Sequence, residues 1–181
     1  MGRKIVVFFN LIHIALVYLA KVMMAAMVLV IFANVVLRYG FNSGLMWSEE
    51  VALLLAVWFI FIAMALGVKE NLHINITLIP AARMPKKAAR ILDMLKSLVI
   101  LAVAAVMLIH GWKLVGFTMR SIMPATQWPA GLLYAILPVS AVVMIYEALT
   151  DLLGIDTNDQ AVDRFLAGQG PLRDVLGERH G

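Results

Sequence analysis

Long apolar stretches alternate with short polar connections along most of this chain. Four of the stretches are long enough to cross the roughly 30 Å hydrocarbon core of a bilayer as helices. They lie at about residues 11–38, 47–68, 91–117 and 132–153. The clearest is the second, in which eighteen consecutive residues from 51 to 68 carry no charge. The pattern predicts an all-α integral membrane protein with four transmembrane helices.

The second span separates small from bulky side chains rather than polar from apolar ones. At about 100° per residue, one narrow face is small and the opposite face is bulky. The small face contains Glu49, Ala52, Ala56, Ala63 and Gly67, and the opposite face contains Leu54, Trp58, Phe61 and Ala65. A small face lets another helix approach closely, whereas a bulky face suits lipid or a larger protein groove. Ser48 is expected to cap this helix, with Glu49 and Glu50 favoured at the positive end of its dipole.

The start of the chain has two interpretations. A basic N-terminus and an apolar run resemble a signal peptide, but Lys21 stands where a small-residue cleavage site is expected. We therefore expect an uncleaved first helix. Either it spans the membrane with tilt from Leu11 to Arg38, or residues 3–17 lie along the membrane surface and the span begins near Tyr18.

The connection between the second and third spans is the most basic one in the chain. Residues 69–90 contain five lysines and arginines against the single acid Glu70. The alternation of Ile74, Ile76 and Leu78 before Pro80 predicts an interfacial amphipathic segment between helices 2 and 3.

Basic loops stay on the cytoplasmic side of a membrane. The 69–90 connection is therefore expected in the cytoplasm. Because the number of spans is even, both termini are then cytoplasmic, and residues 154–181 form a short cytoplasmic tail. The 38–47 and 118–130 loops are expected to face outward.

Two spans contain residues that interrupt their apolar pattern. Pro138 and Ser140 predict a kink in the fourth span, tolerated if a neighbour satisfies the freed carbonyl. Asn34 is the polar exception in the second half of the first span, and we expect it to bond to a neighbouring helix.

Composition narrows the possible functions. Of 181 residues, 63% are hydrophobic and 14% are charged, against about a quarter charged in a soluble domain. Membrane lipids are the expected surroundings, and the net charge of +4 reports orientation rather than binding to nucleic acid. The chain has no cysteine, which excludes disulfides. It contains no nucleophile elbow, phosphate loop or carboxylate–histidine cluster, so we do not expect an enzyme.

Two alternative functions depend on single residues. A self-sufficient small four-helix transporter needs an intramembrane ionisable group to couple transport to an ion, and Lys21 is the candidate. A haem-binding membrane cytochrome subunit needs two histidines at similar depth on facing helices. His13 lies near one end of the first span and His110 near the opposite end of the third, which argues against haem.

The second span also carries a family resemblance. Trp47-Ser48-Glu49-Glu50 precedes the apolar helix, and Gly67-Val68-Lys69 and Leu72-His73-Ile74 follow it. This pattern resembles the small membrane subunit (DctQ type) of tripartite ATP-independent periplasmic (TRAP) transporters. The resemblance extends to the chain length and to the four spans, and it covers about residues 5–153.

The resemblance implies a scaffold in secondary active transport. Its partners would be a large TRAP membrane subunit, which carries out sodium-coupled uptake of an organic acid, and a periplasmic substrate-binding protein, which delivers that acid. No cofactor is expected in this chain, and sodium ions are expected in the partner subunit. The implied location is a bacterial or archaeal-type inner membrane.

Structural or interface roles are expected for a small set of residues. They are Trp47, Glu49, Glu50, Arg38, Trp58 and His73. By the resemblance, Glu49, Glu50 and His73 match the family's polar motif positions. We further expect Glu49 to form an ion pair with Arg38, the nearest cation at the end of the first span.

Overall fold

The computed structural model describes residues 2–69 and 86–153, together with Val162 and Leu166. These residues form five helices: α1 (Gly2–Gly40), α2 (Ser48–Lys69), α3 (Lys86–Thr118), α4 (Gly131–Tyr134) and α5 (Ile136–Leu152). Four segments are long and apolar enough to cross a membrane, with α4 and α5 together forming the fourth. This confirms an all-α protein with four transmembrane helices. His73, the interfacial segment predicted at 74–80 and most of the 154–181 tail lie outside the described residues.

The first span is one unbroken helix. α1 has 39 residues and is therefore about 58 Å long, roughly twice the thickness of the hydrocarbon core. Its last turn closes with Asn42 in the left-handed region (φ 52°) and with the Ser43 amide donating to the Leu37 carbonyl at 3.0 Å. The Leu37 carbonyl also accepts the Phe41 amide at 3.1 Å, so one carbonyl of the last turn has two donors. The 41–47 connection then folds back along α1.

Asn34 holds that connection in place. Its side-chain oxygen accepts a hydrogen bond from the backbone N–H of Leu45 at 2.8 Å. The expected bond to a neighbouring helix is therefore wrong, because the partner lies in the short loop that follows the same helix. Gly44 fits closely here, since a Cβ added to it would lie 3.5 Å from the Asn34 oxygen.

The four spans pack in the order one, two, four, three. Among the described helices, α1 contacts α2, α2 also contacts α4 and α5, and α4 and α5 contact α3. Within this part of the chain, α1 has no close backbone contact with α3 or α5. The spans therefore form a row, and each end of the row, α1 or α3, is covered by one neighbouring span only.

Small residues allow close packing within the row. Ala104 of α3 is fully buried and belongs to one core cluster with Ala65 of α2 and Met144 of α5. Gly111 serves the same purpose, because a Cβ added there would lie only 3.1 Å from the Leu137 Cβ. Such positions let helix backbones approach closely within a membrane. At the far end of the same two helices, the Lys96 ammonium lies 3.7 Å from the Asp151 carboxylate.

The expected division of α2 into a packed face and a lipid face is only partly correct. Ala52 and Gly67 on the small face are buried, but Ala63 is exposed. Ala65, assigned to the opposite face, is 1% exposed. The physical reason is that α2 has α1 on one side and the fourth span on the other, so two faces are covered.

The fourth span is interrupted at Ala135, between α4 and α5. A proline ring clashes with the carbonyl of the residue four positions earlier, and for Pro138 that residue is Tyr134, the last of α4. Pro138 then lies in the first turn of α5, where backbone N–H groups have no helical partner. The helix is interrupted three residues before Pro138, with Ala135 still in the right-handed helical region (φ −60°, ψ −21°), and the kink expected at Pro138 and Ser140 stays a prediction.

Part of the tail packs against the first helix. Val162 and Leu166 are helical, and Val162 is 2% exposed in a cluster with Ile14 of α1. Asn10 and His13, on the same part of α1, are also buried. An apolar contact thus connects the two ends of the chain.

Candidate functional site

The most developed polar arrangement joins the start of α2 to the 118–130 loop. The Glu50 carboxylate accepts hydrogen bonds from the backbone N–H groups of Ala125 at 2.9 Å and Thr126 at 2.7 Å. It also accepts the Thr126 hydroxyl at 2.7 Å. Hydrogen bonds to a charged acceptor are roughly twice as strong as neutral ones. One side chain at the end of α2 therefore fixes the loop between α3 and the fourth span.

The loop has its own internal hydrogen bonds. The Met123 amide donates to the Trp128 carbonyl at 2.8 Å, and the Ala130 amide donates to the Ser121 carbonyl at 2.8 Å. Gln127 adopts the left-handed region (φ 59°), and its side-chain amide donates to the Pro124 carbonyl at 2.7 Å. These bonds turn the 124–127 tip towards α2, where Glu50 meets two successive N–H groups.

An open pocket of about 610 Å³ lies beside this contact. Its walls come from the end of α1, the 41–47 connection, the first turn of α2 and the tip of the 118–130 loop. The lining residues are Asn34, Arg38, Asn42, Gly44, Leu45, Met46, Glu49, Glu50, Pro124 and Ala125. Both signs of charge are present, so the pocket suits contact with polar protein groups better than binding of a simple anion.

Glu49 and Arg38 line this pocket without forming the expected ion pair. Both side chains are exposed, and among the described residues no ion pair within 4 Å joins them. Glu49 therefore differs from its neighbour Glu50, which is partly buried against the loop. Their 100° separation on α2 sends the two carboxylates to different surroundings.

Ser48 stabilises the approach to α2 in a different way from a standard cap. Its hydroxyl donates to the Leu45 carbonyl at 2.7 Å, and its backbone N–H donates to the same oxygen at 3.2 Å. The Trp47 carbonyl accepts the first helical bond, from Val51 at 3.1 Å. Trp47 itself is 41% exposed. The bonds of Ser48 hold the last turn of the connection against α2.

Trp58 stabilises the interruption of the fourth span. Its indole N–H donates to the Leu132 carbonyl of α4 at 3.0 Å, and the Ala135 amide reaches the same oxygen at 3.4 Å. A backbone carbonyl without a donor is costly inside a membrane. Trp58 gives the Leu132 carbonyl a second donor, from a neighbouring helix, and its ring packs in the cluster around Ile62 and Ile136.

The structure thus brings four of the six predicted residues to one end of the molecule. Trp47, Glu49, Glu50 and Arg38 lie around the first turn of α2, Trp58 lies further along that helix, and His73 is outside the described residues. Sequence analysis did not identify the 118–130 loop as the partner of Glu50. It also did not identify Leu45 as the partner of Asn34. For the Glu50 contact, the sequence offered one weak signal, the polar residue Thr126 in a loop bounded by prolines.

Within the described residues no group of three or more His, Asp or Glu side chains is arranged to hold a metal ion. His13 and His110 lie on α1 and α3, the two ends of the row, which share no close backbone contact in that part of the chain. The side chains of the candidate site hold the 41–47 connection and the 118–130 loop in place around the start of α2. It can support a contact with another protein.

Comparison with known proteins identifies the family. Residues 27–157 match the family model described as tripartite ATP-independent periplasmic transporters, DctQ component. The match includes α2, the 118–130 loop and the end of α1, and so the whole candidate site. The chain belongs to the DctQ family. It is therefore a component of a TRAP transporter and a multi-pass protein of the inner membrane.

Individual DctQ relatives match most of the chain. A protein of Haemophilus influenzae named as a TRAP transporter small permease is 28% identical over 144 residues, which cover 80% of this chain and 89% of that protein. The sialic acid TRAP transporter small permease protein SiaQ of Vibrio cholerae is 26% identical, over 78% of this chain and 86% of its own length. The C4-dicarboxylate TRAP transporter small permease protein DctQ of Vibrio cholerae is 31% identical over a shorter region, 53% of this chain and 41% of its own length.

Proposed function

We propose that this DctQ-family chain is the scaffold subunit of a sodium-coupled TRAP transporter. In this proposal it supports a large membrane subunit that moves the substrate, and a periplasmic binding protein delivers the substrate. An organic acid is the proposed substrate class, because two relatives are named for sialic acid and C4-dicarboxylates. The sodium ions would bind to the large subunit, and this chain would hold no cofactor.

The row of spans is the observation that carries the proposal. A solute path needs walls on all sides, and four helices in the order one, two, four, three enclose none among the described residues. Long α1 has close backbone contact with α2 alone among those helices, and several of its large side chains are exposed. They include Val22, Leu29 and Phe32, which are 63%, 66% and 65% exposed. Such faces suit contact with lipid and with a second membrane protein.

The position of Lys21 weighs against a self-sufficient transporter. Its side chain is exposed, and the ammonium lies 5.4 Å from the centre of the Tyr18 ring. A coupling group in a transporter faces the protein interior or a water-filled cavity. Lys21 instead lies on the outer surface of α1, where its side chain can extend to the headgroups.

Uptake assays on proteoliposomes test the scaffold role. The full-length chain alone, under an inward sodium gradient, should take up no more labelled sialic acid or succinate than empty liposomes. The same chain reconstituted with the large subunit and binding protein encoded beside it should restore uptake of the correct acid. Uptake by the purified chain without partners would refute the scaffold proposal.

The orientation is the second part of the proposal: both termini in the cytoplasm, and the candidate site outside. The chain has no cysteine, so Ser43→Cys and Lys86→Cys each create a single labelling position. A membrane-impermeant maleimide added to whole cells should label Ser43→Cys at once, and Lys86→Cys only after permeabilisation. The opposite pattern would invert the topology.

A further inference from the structure

An apolar groove lies between α3 and the fourth span, towards the 118–130 loop. Its volume of about 510 Å³ falls within the range of roughly 300–1,000 Å³ typical of ligand sites. The lining residues are Leu108, Trp112, Val115 and Gly116 of α3 with Ala135, Pro138, Val139 and Val142 opposite. None of these side chains is charged.

The groove exists because of two glycines on α3. Gly111 brings α3 against the start of α5, where its added Cβ would lie 3.1 Å from the Leu137 Cβ. Gly116 leaves open space, since a Cβ added there meets no atom within 4 Å. Trp112 stands beside this gap, 72% exposed. Because both walls belong to membrane spans, the groove opens towards the acyl chains of the bilayer.

Two cations lie near the loop end of the groove. Lys113 follows Trp112 directly, and Arg120 lies two residues beyond the end of α3. Both side chains are exposed, and neither forms an ion pair within the described part of the chain. No Asp or Glu occurs from residue 97 to 146.

The two acids at the start of α2, Glu49 and Glu50, line the other pocket, between the end of α1 and the 118–130 loop. Glu50 binds the tip of the 118–130 loop through three hydrogen bonds. The positive charge of Lys113 and Arg120 forms no ion pair with these acids in the described part of the chain. It lies where α3 ends and the lipid headgroups begin. An uncharged groove with cations at one end is complementary to a molecule with an apolar tail and an anionic head.

We propose that this groove binds an acyl chain of an anionic glycerophospholipid whose phosphate is held by Lys113 and Arg120. The lipid belongs to the leaflet on the side of the 118–130 loop. Trp112 lies within two turns of the end of α3, and aromatic side chains are enriched near the ends of membrane spans. The two cations at one end favour an anionic lipid over an uncharged membrane helix as the occupant of the groove. The proposal is independent of the scaffold role.

Photolabelling of the full-length chain tests this site. The chain is reconstituted in phosphatidylcholine vesicles doped with phosphatidylglycerol that carries a diazirine in its acyl chain, or with phosphatidylcholine carrying the same chain. We expect labelled phosphatidylglycerol to concentrate on residues 108–116 and 135–142, with a preference over phosphatidylcholine of about fivefold for each contributing cation. The double change Lys113→Gln and Arg120→Gln should remove that preference. Lys21→Gln, which removes a cation from α1, should preserve it.

A second variant tests the apolar groove itself. Gly116→Leu should fill the open space and abolish labelling of the groove, while Gly40→Leu, the same change at another open position, should leave it intact. Equal labelling by the two lipids, or labelling that survives Gly116→Leu, would overturn the proposal. A third outcome would also overturn it: the Gly116→Leu variant loses a co-purifying membrane protein, but its lipid labelling stays unchanged. The groove would then be a contact with that protein.

Discussion

Glu50→Gln is expected to loosen the 118–130 loop while leaving the four spans folded. The carboxylate accepts three hydrogen bonds from Ala125 and Thr126. A glutamine keeps one acceptor oxygen and replaces the other with an amide NH₂, which cannot accept from an N–H group. The bonds that remain also lose the assistance of the negative charge. The loop tip should then open far more often.

Amide hydrogen exchange measures that opening directly, because a local opening exposes the N–H groups to solvent. We expect the amides of Ala125 and Thr126 to exchange at least about tenfold faster in Glu50→Gln, given the strength of hydrogen bonds to charged acceptors. Exchange in the middle of α2 and α5 should stay as it is in the natural chain.

Glu49→Gln is the matched control for this experiment. It removes the same charge one residue earlier, from an exposed side chain that takes no part in the hydrogen bonds to the loop tip. Exchange at the loop tip should therefore not change. If the two substitutions accelerated exchange equally, the loop would respond to total charge at this end of the molecule, and the specific role of Glu50 would be wrong.

Truncation of Trp58 should cause the largest loss of stability. The ring packs in the cluster between α1, α2 and α5, and its N–H satisfies the Leu132 carbonyl at the interruption of the fourth span. Trp58→Ala removes both contributions, and we expect a loss of about 3 kcal/mol. Trp58→Phe keeps most of the packing and removes the donor, so its expected cost is about 1 kcal/mol.

Reversible unfolding in mixed micelles, followed by circular dichroism, separates these two effects. Trp112→Phe is the matched control, because Trp112 is 72% exposed and its replacement should change the free energy of unfolding by less than about 0.5 kcal/mol. A Trp58→Phe variant as stable as the Trp112→Phe variant would show that the indole hydrogen bond to Leu132 contributes nothing.

The spans could be predicted because their signal is local. An uncharged run such as 51–68 predicts a membrane helix from length and composition alone. The interruption at Ala135 also has a local cause, since the Pro138 ring clashes with a helical carbonyl four residues earlier. The family resemblance came from Trp47 to Glu50 and the residues after α2, and the family match confirms it.

The contacts of the candidate site could not be predicted because they join residues distant in sequence. Glu50 and Thr126 are 76 positions apart, and Trp58 and Leu132 are 74 apart. Hydrophobic periodicity does not indicate either of these contacts. Ala65 was placed on the wrong face for a related reason. Periodicity predicts which residues share a face, but it does not indicate that α2 has helices on two sides.

The packing order of the spans constrains how the chain can assemble during synthesis. α1 and α2 form a pair that can associate as soon as both have left the ribosome. α3 emerges next. Its neighbours among the described helices are α4 and α5, and these have not yet been synthesised. It must therefore enter the bilayer on its own apolar run, from 98 to 109. The arrival of the fourth span then completes two interfaces at once, one with α2 and one with α3.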